Sequence, residues 1–276
     1  MRQFYRLSGG GNDFLALVET AAEPEAAEIR ALCCRGLSAG ADGFFILRQR
    51  PGIVAMRYFN ADGRRAELCL NGTRCAVQLA AHLGWGGSQL TIETDAGVFV
   101  GRPVDASSVA LDLPRPASPT RYTLVSEGAT YDGWHIDIGV PHFVLPQADS
   151  LAKAPVSEVG SRLRHHDDWG QSGSNINFVR FVDLHHLENR TFERGVEAET
   201  LACGTGVLAA AATGLAMGAL ELPVRALTLG GFELVVDRTR SEERELWSLT
   251  GDARLIAEGI LHPGAYNLPP SPSWTP

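Results

Sequence analysis

Two stretches decide the fold when read side by side: FERGVEAETLACGTG (192–206) and FNADGRRAELCLNG (59–72). Each leaves an aromatic strand end, passes a polar glycine turn, and reaches an acidic and then an apolar residue. Each then meets a cysteine, Cys203 or Cys69, followed by a turn of small residues. Behind those turns lie the two clearest helical runs of the chain, TRCAVQLAAHL (73–83) and VLAAAATGLAM (207–217), closed by Gly84 and Gly218, as helix C-termini often are. Elsewhere short apolar runs such as GFFILR (43–48), IVAMRYF (53–59), QLTIET (89–94) and VFVGRPV (98–104) read as strands. The two cysteines stand about half the chain apart. The expectation is an internal repeat: two similar lobes facing each other, each setting a cysteine at a helix start.

The proline-rich segment LDLPRPASPTRY (111–122) supplies the boundary. We therefore expect an N-terminal lobe over 1–117 carrying Cys69, a C-terminal lobe over 118–265 carrying Cys203, and a loose tail over 266–276.

With 276 residues, 45% hydrophobic and 20% charged, the chain has the composition of a globular protein large enough for two cores. A net charge of -8 argues against a nucleic-acid partner. No run reaches the roughly 20 apolar residues of a membrane span, and no signal peptide opens the sequence, so the expected location is cytoplasmic. Five cysteines, an odd number without a CxxC pair, fit thiols in a reducing compartment and no metal site. Cys33, Cys34 and Cys75 read as small buried residues.

Of the 24 basic residues only Lys153 is a lysine. It lies in ADSLAKAPVSE (148–158), which has no Gly/Ser phosphate cradle. That nearly excludes a pyridoxal phosphate enzyme, whose cofactor is held on a lysine. No cofactor is expected.

Two cysteines at helix starts suggest a specific chemistry. Inverting a carbon centre requires a base on one face and an acid on the other. A thiol, with a pKa of about 8.5, sits near operating pH and is tuned by a helix N-terminus. The backbone N–H groups of Asn71 and Gly72, and of Gly204 and Thr205, would hold a carboxylate and the charge that develops on it. A thiol redox pair remains an alternative on these residues alone.

With FNADGRRAELCLNGTRCA and FERGVEAETLACGTGV come GGGNDFLALVE (9–19), AGADGFFIL (39–47), GVPHFV (139–144) and SNINFV (174–179). In that order, over almost the whole chain, they resemble the diaminopimelate epimerase family. The resemblance implies an α+β fold of two pseudo-symmetric lobes, each a small, mostly antiparallel sheet wrapped around a central helix. It also implies two-base catalysis by Cys69 and Cys203 on an amino acid (LL- to meso-diaminopimelate in the family), and a homodimer. Substrate-side residues fall on Asn12, Asn60, Asn175, Glu193 and Arg194, with Arg194 and the amides placed for a distal carboxylate and Glu193 for an amine. His142 matches a histidine beside the family's site, there to tune the thiols.

Three departures bear on the pocket. Leu70 stands where the family has glycine, and Val140 where it usually has asparagine. One extra residue separates Glu193 from Cys203. These leave open a racemase of the same family acting on another amino acid, and a non-catalytic amino-acid-binding protein on the same scaffold. The phenazine-biosynthesis isomerases share the architecture but carry a carboxylate where this chain has cysteine.

Overall fold

A computed structural model describes residues 2–20, 22–66, 68–240 and 245–268. The chain divides into two compact units, Met1–Val109 with Ala253–Pro276, and Ala110–Asp252.

In the first unit the elements are β1 (Arg2–Gly9), β2 (Asn12–Val18), α1 (Ala26–Cys33), β3 (Gly43–Arg50), β4 (Ile53–Asn60), α2 (Leu70–His82), β5 (Leu90–Thr94) and β6 (Gly97–Pro103). The division falls within β7 (Ser108–Pro114). The second unit continues with β8 (Thr120–Ser126), β9 (Ala129–Asp137), β10 (Pro141–Pro146), α3 (Val156–Arg164), β11 (Asn175–Phe181) and β12 (His186–Glu193). It closes with β13 (Ala198–Thr200), α4 (Gly204–Ala216), β14 (Val224–Thr228), β15 (Glu233–Arg240) and β16 (Glu245–Asp252). Last comes β17 (Arg254–Leu261), which belongs to the first unit.

Strand pairing shows the repeat directly. The first unit's strands run β17–β1–β2–β3–β4–β5–β6, joined in turn antiparallel, antiparallel, parallel, antiparallel, parallel and antiparallel. The second unit's run β8–β9–β10–β11–β12–β14–β15 has the same succession. Parallel neighbours need a crossover. Helix α1 supplies it between β2 and β3, as α3 does between β10 and β11, while α2 and α4 cross from β4 to β5 and from β12 to β14.

Both long helices are buried nearly all round, which their sequences require. In α4, GTGVLAAAATGLA presents small apolar groups on every side, and a helix apolar all round has no stable place in water. In α2, Cys75, Ala76, Val77, Leu79 and Ala80 are fully buried. The sheets curve around these cylinders: α2 touches β1 through β6 and β17, and α4 touches β9 to β12 and β15. On the outer face of the first sheet, Ile29 and Leu32 of α1 pack on Leu15, Leu17, Phe44 and Ile46.

Two expectations are corrected. The sequence puts the C-terminal lobe at 118–265, but β17 pairs antiparallel with β1 from Arg2↔Leu261 to Ser8↔Arg254 and so completes the first sheet. A returning strand of this kind leaves no local sequence signal. The helices also begin three residues earlier than Thr73 and Val207, at Leu70 and Gly204. The small-residue stretches read as turns are in fact the first helical turns, and each cysteine is the N-cap itself. Of the expected loose tail, residues 269–276 lie outside the described residues.

Candidate active site

In the first unit, Cys69 caps α2 from an extended backbone (φ -138°, ψ 104°), and Gly72 N donates to its Sγ at 3.4 Å. The thiol thus occupies the place a serine or aspartate side chain usually takes at a helix start. Asn71 follows, buried, its Nδ2 donating to Asn12 Oδ1 at 2.9 Å and its Oδ1 accepting from the wholly buried Arg74 at 2.6 Å. Asn71 therefore braces the helix start against β2 with its side chain. Asn12 opens β2 and Asn60 closes β4, and the register Phe14↔Gly43↔Asn60 sets both asparagines at the same end of the sheet. The turn after Asn60 depends on Gly63, at φ +80°, where a Cβ would lie 2.3 Å from Ala26 O. Leu70 is buried in the first turn.

The second unit repeats this arrangement with different side chains. His142, the second residue of β10, lies opposite Asn175, the first residue of β11, and Glu193 closes β12. Cys203 caps α4 and is buried, with Thr205 Oγ1 3.4 Å from its Sγ. Glu193 thus occupies the position of Asn60 in the repeat. Its carboxyl accepts from Thr200 Oγ1 at 2.9 Å and lies beside the Cys203 thiol. Burial raises the Glu193 pKa against the opposing pull of these two neighbours. Burial first, and then the Glu193 charge, push the Cys203 thiol well above its ordinary value. Both shifts run towards the protonated form. Glu193, expected to take a substrate amine, stands beside the Cys203 thiol.

Asn175 is engaged at both ends of its amide: Oδ1 accepts from Arg194 N at 2.7 Å and Nδ2 donates to Pro141 O at 3.2 Å. It ties the Val140–Pro141 turn to the loop bearing Arg194. The Arg194 guanidinium forms no ion pair among the described residues, which leaves a bidentate cation for an anionic ligand. Gly204 and Thr205 lie in the first turn of α4, where backbone N–H groups have no helical acceptor.

Sequence reasoning missed a buried polar chain behind this half of the site. Asn189 Nδ2 donates to Thr191 Oγ1 at 3.0 Å, Thr191 Oγ1 to Asn177 Oδ1 at 2.9 Å, and Asn177 Nδ2 meets His142 Nδ1 at 3.0 Å. The signal was available in SNINFV. Asn175 and Asn177 are two apart on one strand and so share a face. Gly206 makes room for the chain, since a Cβ there would sit 2.4 Å from Asn177 Oδ1 and 2.8 Å from Thr191 Oγ1.

Of the remaining cysteines, all expected to be buried, Cys34 is only partly so. Cys33 and Cys75 are buried, and burial with the nearby Asp13 and Asp42 charges pushes the Cys33 thiol up to about 12.

Comparison with known proteins assigns the family. The family model for diaminopimelate epimerase matches residues 4–109 and 134–256. The chain belongs to that family. The epimerase is 35% identical over 274 residues to the diaminopimelate epimerase of Aquifex aeolicus, covering 94% of this chain and 97% of the relative. It is 36% identical over 249 residues to that of Methanothrix thermoacetophila, covering 83% and 86%. Among solved structures it is similar in fold to a hydroxyproline epimerase from Agrobacterium vitis (TM-score 0.65, 17% identity, 94% of this chain and 93% of that one). It also resembles a phenazine biosynthesis protein from Enterococcus faecalis (TM-score 0.69, 17% identity, 95% and 99%). The epimerase is thus an isomerase of the expected α+β fold. No helix among its described residues is long and apolar enough to cross a membrane.

Burial of His142 has a measurable consequence. Desolvation, reinforced by the Arg194 charge and opposed by the Asn177 hydrogen bond, lowers its pKa to about 3. An unfolded histidine titrates near 6.5, so between these values the unfolded chain binds the extra proton and stability rises with pH. This contribution is fully present above about pH 6.5 and is lost as pH falls towards 3. From pH 7 to 4.5 it amounts to about 2–3 kcal/mol. Urea unfolding should show wild type losing that much more stability than His142→Gln over the same range; parallel losses would contradict it.

Proposed function

We propose that the epimerase inverts an amino-acid α-carbon, with diaminopimelate as substrate, through proton transfer between Cys69 and Cys203. The observation carrying this reading is the repeat itself: two buried helices in matching positions of the two units, each N-capped by a cysteine. The relatives from Aquifex aeolicus and Methanothrix thermoacetophila, both diaminopimelate epimerases, support the substrate.

One cysteine, as thiolate, takes the α-proton from one face. The electron pair left behind delocalises into the carboxylate, and the other cysteine, as thiol, delivers its proton to the opposite face. The first cysteine ends as thiol and the second as thiolate. In the direction where Cys203 is the donor, its raised pKa keeps the proton available, and the buried Glu193 carboxyl, when protonated, donates to the thiolate produced. In the same direction the Gly72 N–H serves the Cys69 thiolate as a charge-assisted donor. The first-turn N–H groups of α2 and α4 stabilise the α-carboxylate as charge builds on it. Arg194 takes the distal carboxylate. Arg194→Ala should then raise KM roughly 10–100-fold with a smaller change in kcat. An unchanged KM would place the distal group elsewhere.

A homodimer and a cytoplasmic setting complete the proposal; the latter keeps the thiols reduced. The second reading, a different amino acid as substrate, draws on Leu70 and Val140. Val140 adjoins the Pro141 carbonyl held by Asn175, so the residue before it faces the same loop as Arg194. Proton NMR of the reduced protein in D2O, with LL- and meso-diaminopimelate among a panel of L-amino acids, separates these readings. Loss of an α-proton signal from diaminopimelate, with the epimer seen by chiral chromatography, supports the proposal. Exchange confined to another amino acid makes Val140 and Leu70 specificity determinants, and exchange on none favours a binding protein. Under the first outcome Val140→Asn should raise kcat/KM for diaminopimelate.

A further inference from the structure

We propose that Asn177 is a positioning residue that locks His142 as the tautomer protonated on Nε2, making His142 a hydrogen-bond donor to the site and not a proton acceptor. The argument runs along the buried chain. Asn177 Nδ2 faces two atoms, His142 Nδ1 at 3.0 Å and the carbonyl oxygen of Phe143 at 3.4 Å. A carbonyl oxygen only accepts, so the amide edge turned towards it is the NH2 group. Reversing the amide would set two oxygens against each other and would turn Nδ2 towards Thr191, displacing the hydroxyl that now donates to Oδ1 at 2.9 Å. The Thr191 hydroxyl accepts in turn from Asn189 Nδ2 at 3.0 Å. Every proton in the chain therefore points towards His142, and its last acceptor is Nδ1.

A neutral imidazole carries one proton, and with Nδ1 accepting, that proton is on Nε2. Nε2 is fully buried and has no hydrogen-bond partner among the described residues. A buried donor of this kind is costly unless something accepts from it. Anions are what the site is built to handle, namely a substrate carboxylate or a thiolate. His142 with both nitrogens so committed has no lone pair to take a proton from a cysteine. The chain also lies directly against the first turn of α4 at Gly206, so the same atoms that fix the imidazole fix the helix start that Cys203 caps. The tautomer stands on geometry alone; the donor role rests on the proposed epimerase activity.

The test is long-range proton–nitrogen NMR of protein labelled with 15N-histidine, the His142 signals being those missing from His142→Gln. Wild type should show the neutral Nε2–H pattern, and this spectrum settles the tautomer even if Asn177→Asp fails to fold. An Nδ1–H pattern, or an even mixture, would overturn the proposal. Asn177→Asp replaces the NH2 donor by an acceptor, so the proton should move to Nδ1, with kcat falling on the order of 100-fold and KM within about threefold. A wild-type pattern and rate in Asn177→Asp would count against Asn177. His142→Gln keeps an N–H donor and should retain kcat within about tenfold, whereas His142→Phe should lose on the order of 100-fold. Equal losses in the two would refute the donor role. An Nε2–H pattern in a wild type that turns over nothing would sink the epimerase reading and leave the tautomer assignment intact.

Discussion

Cys203→Ala and Cys69→Ala should each abolish stereo-inversion, with rates down by at least the roughly 10²–10⁴-fold that a positioned acid or base contributes. The reason is geometric. A single thiol reaches one face of a planar carbanion, and inversion needs a proton delivered to the other. Each variant can still exchange the α-proton for solvent deuterium with retention at the face its surviving cysteine serves. Chiral chromatography combined with deuterium incorporation therefore distinguishes loss of one base from loss of the fold, which would remove both signals. Near-normal inversion in either variant would rule out the two-base mechanism. Cys75→Ala and Cys33→Ala, which alter buried thiols away from the helix starts, supply the controls.

The second large effect contrasts two glycines in equivalent places of the repeat. Gly206→Ala would put a Cβ 2.4 Å from Asn177 Oδ1 and 2.8 Å from Thr191 Oγ1, both buried and hydrogen-bonded, so neither can yield cheaply. We expect a stability loss of about 1–3 kcal/mol, as for other overpacked cores. We also expect kcat to drop on the order of 10²-fold, because the helix start carrying Cys203 shifts relative to the substrate. Gly72→Ala meets only Met56 Cε and Phe14 Cε1 at 3.5 Å and Cys69 Cβ at 3.6 Å, ordinary contacts. Its stability should hold or rise by up to about 1 kcal/mol through helix propensity. Denaturant midpoints of the two variants measure the difference. Equal destabilisation would mean that the polar chain relaxes around the added methyl group.

The halves of the site were legible because their signals are local. A cysteine followed by small residues and a helical run marks an N-cap, and the matching strand ends at Asn60 and Glu193 follow from aligning the two stretches. What stayed hidden depends on partners far apart in sequence. Glu193 reads as a binder of substrate amine, and nothing in FERGVEAETLACGTG says that its carboxyl also lies beside Cys203. Asn175 reads as a ligand contact through its amide and Asn71 through its backbone N–H; that both side-chain amides also tie loops together, on Pro141, Arg194, Asn12 and Arg74, has no signal in the sequence. Asn189 and Thr191 look like ordinary polar strand residues until β11 and β12 pair and turn them towards His142. The strand β17 escaped for the same reason, since pairing across some 250 residues has no periodicity of its own.

That last strand sets the order in which a ribosome can finish the molecule. Synthesis delivers every strand of the second unit before Arg254 emerges, so the second unit can close while the first still waits for its border. Until β17 arrives, the nascent chain presents the outer rim of β1 with its amides and carbonyls unsatisfied, a template for stray β-pairing. Release after residue 252 would leave that rim permanently open. The quality of the N-terminal half is thus decided by the final stretch translated, and a premature stop near the end would harm the unit that was made first.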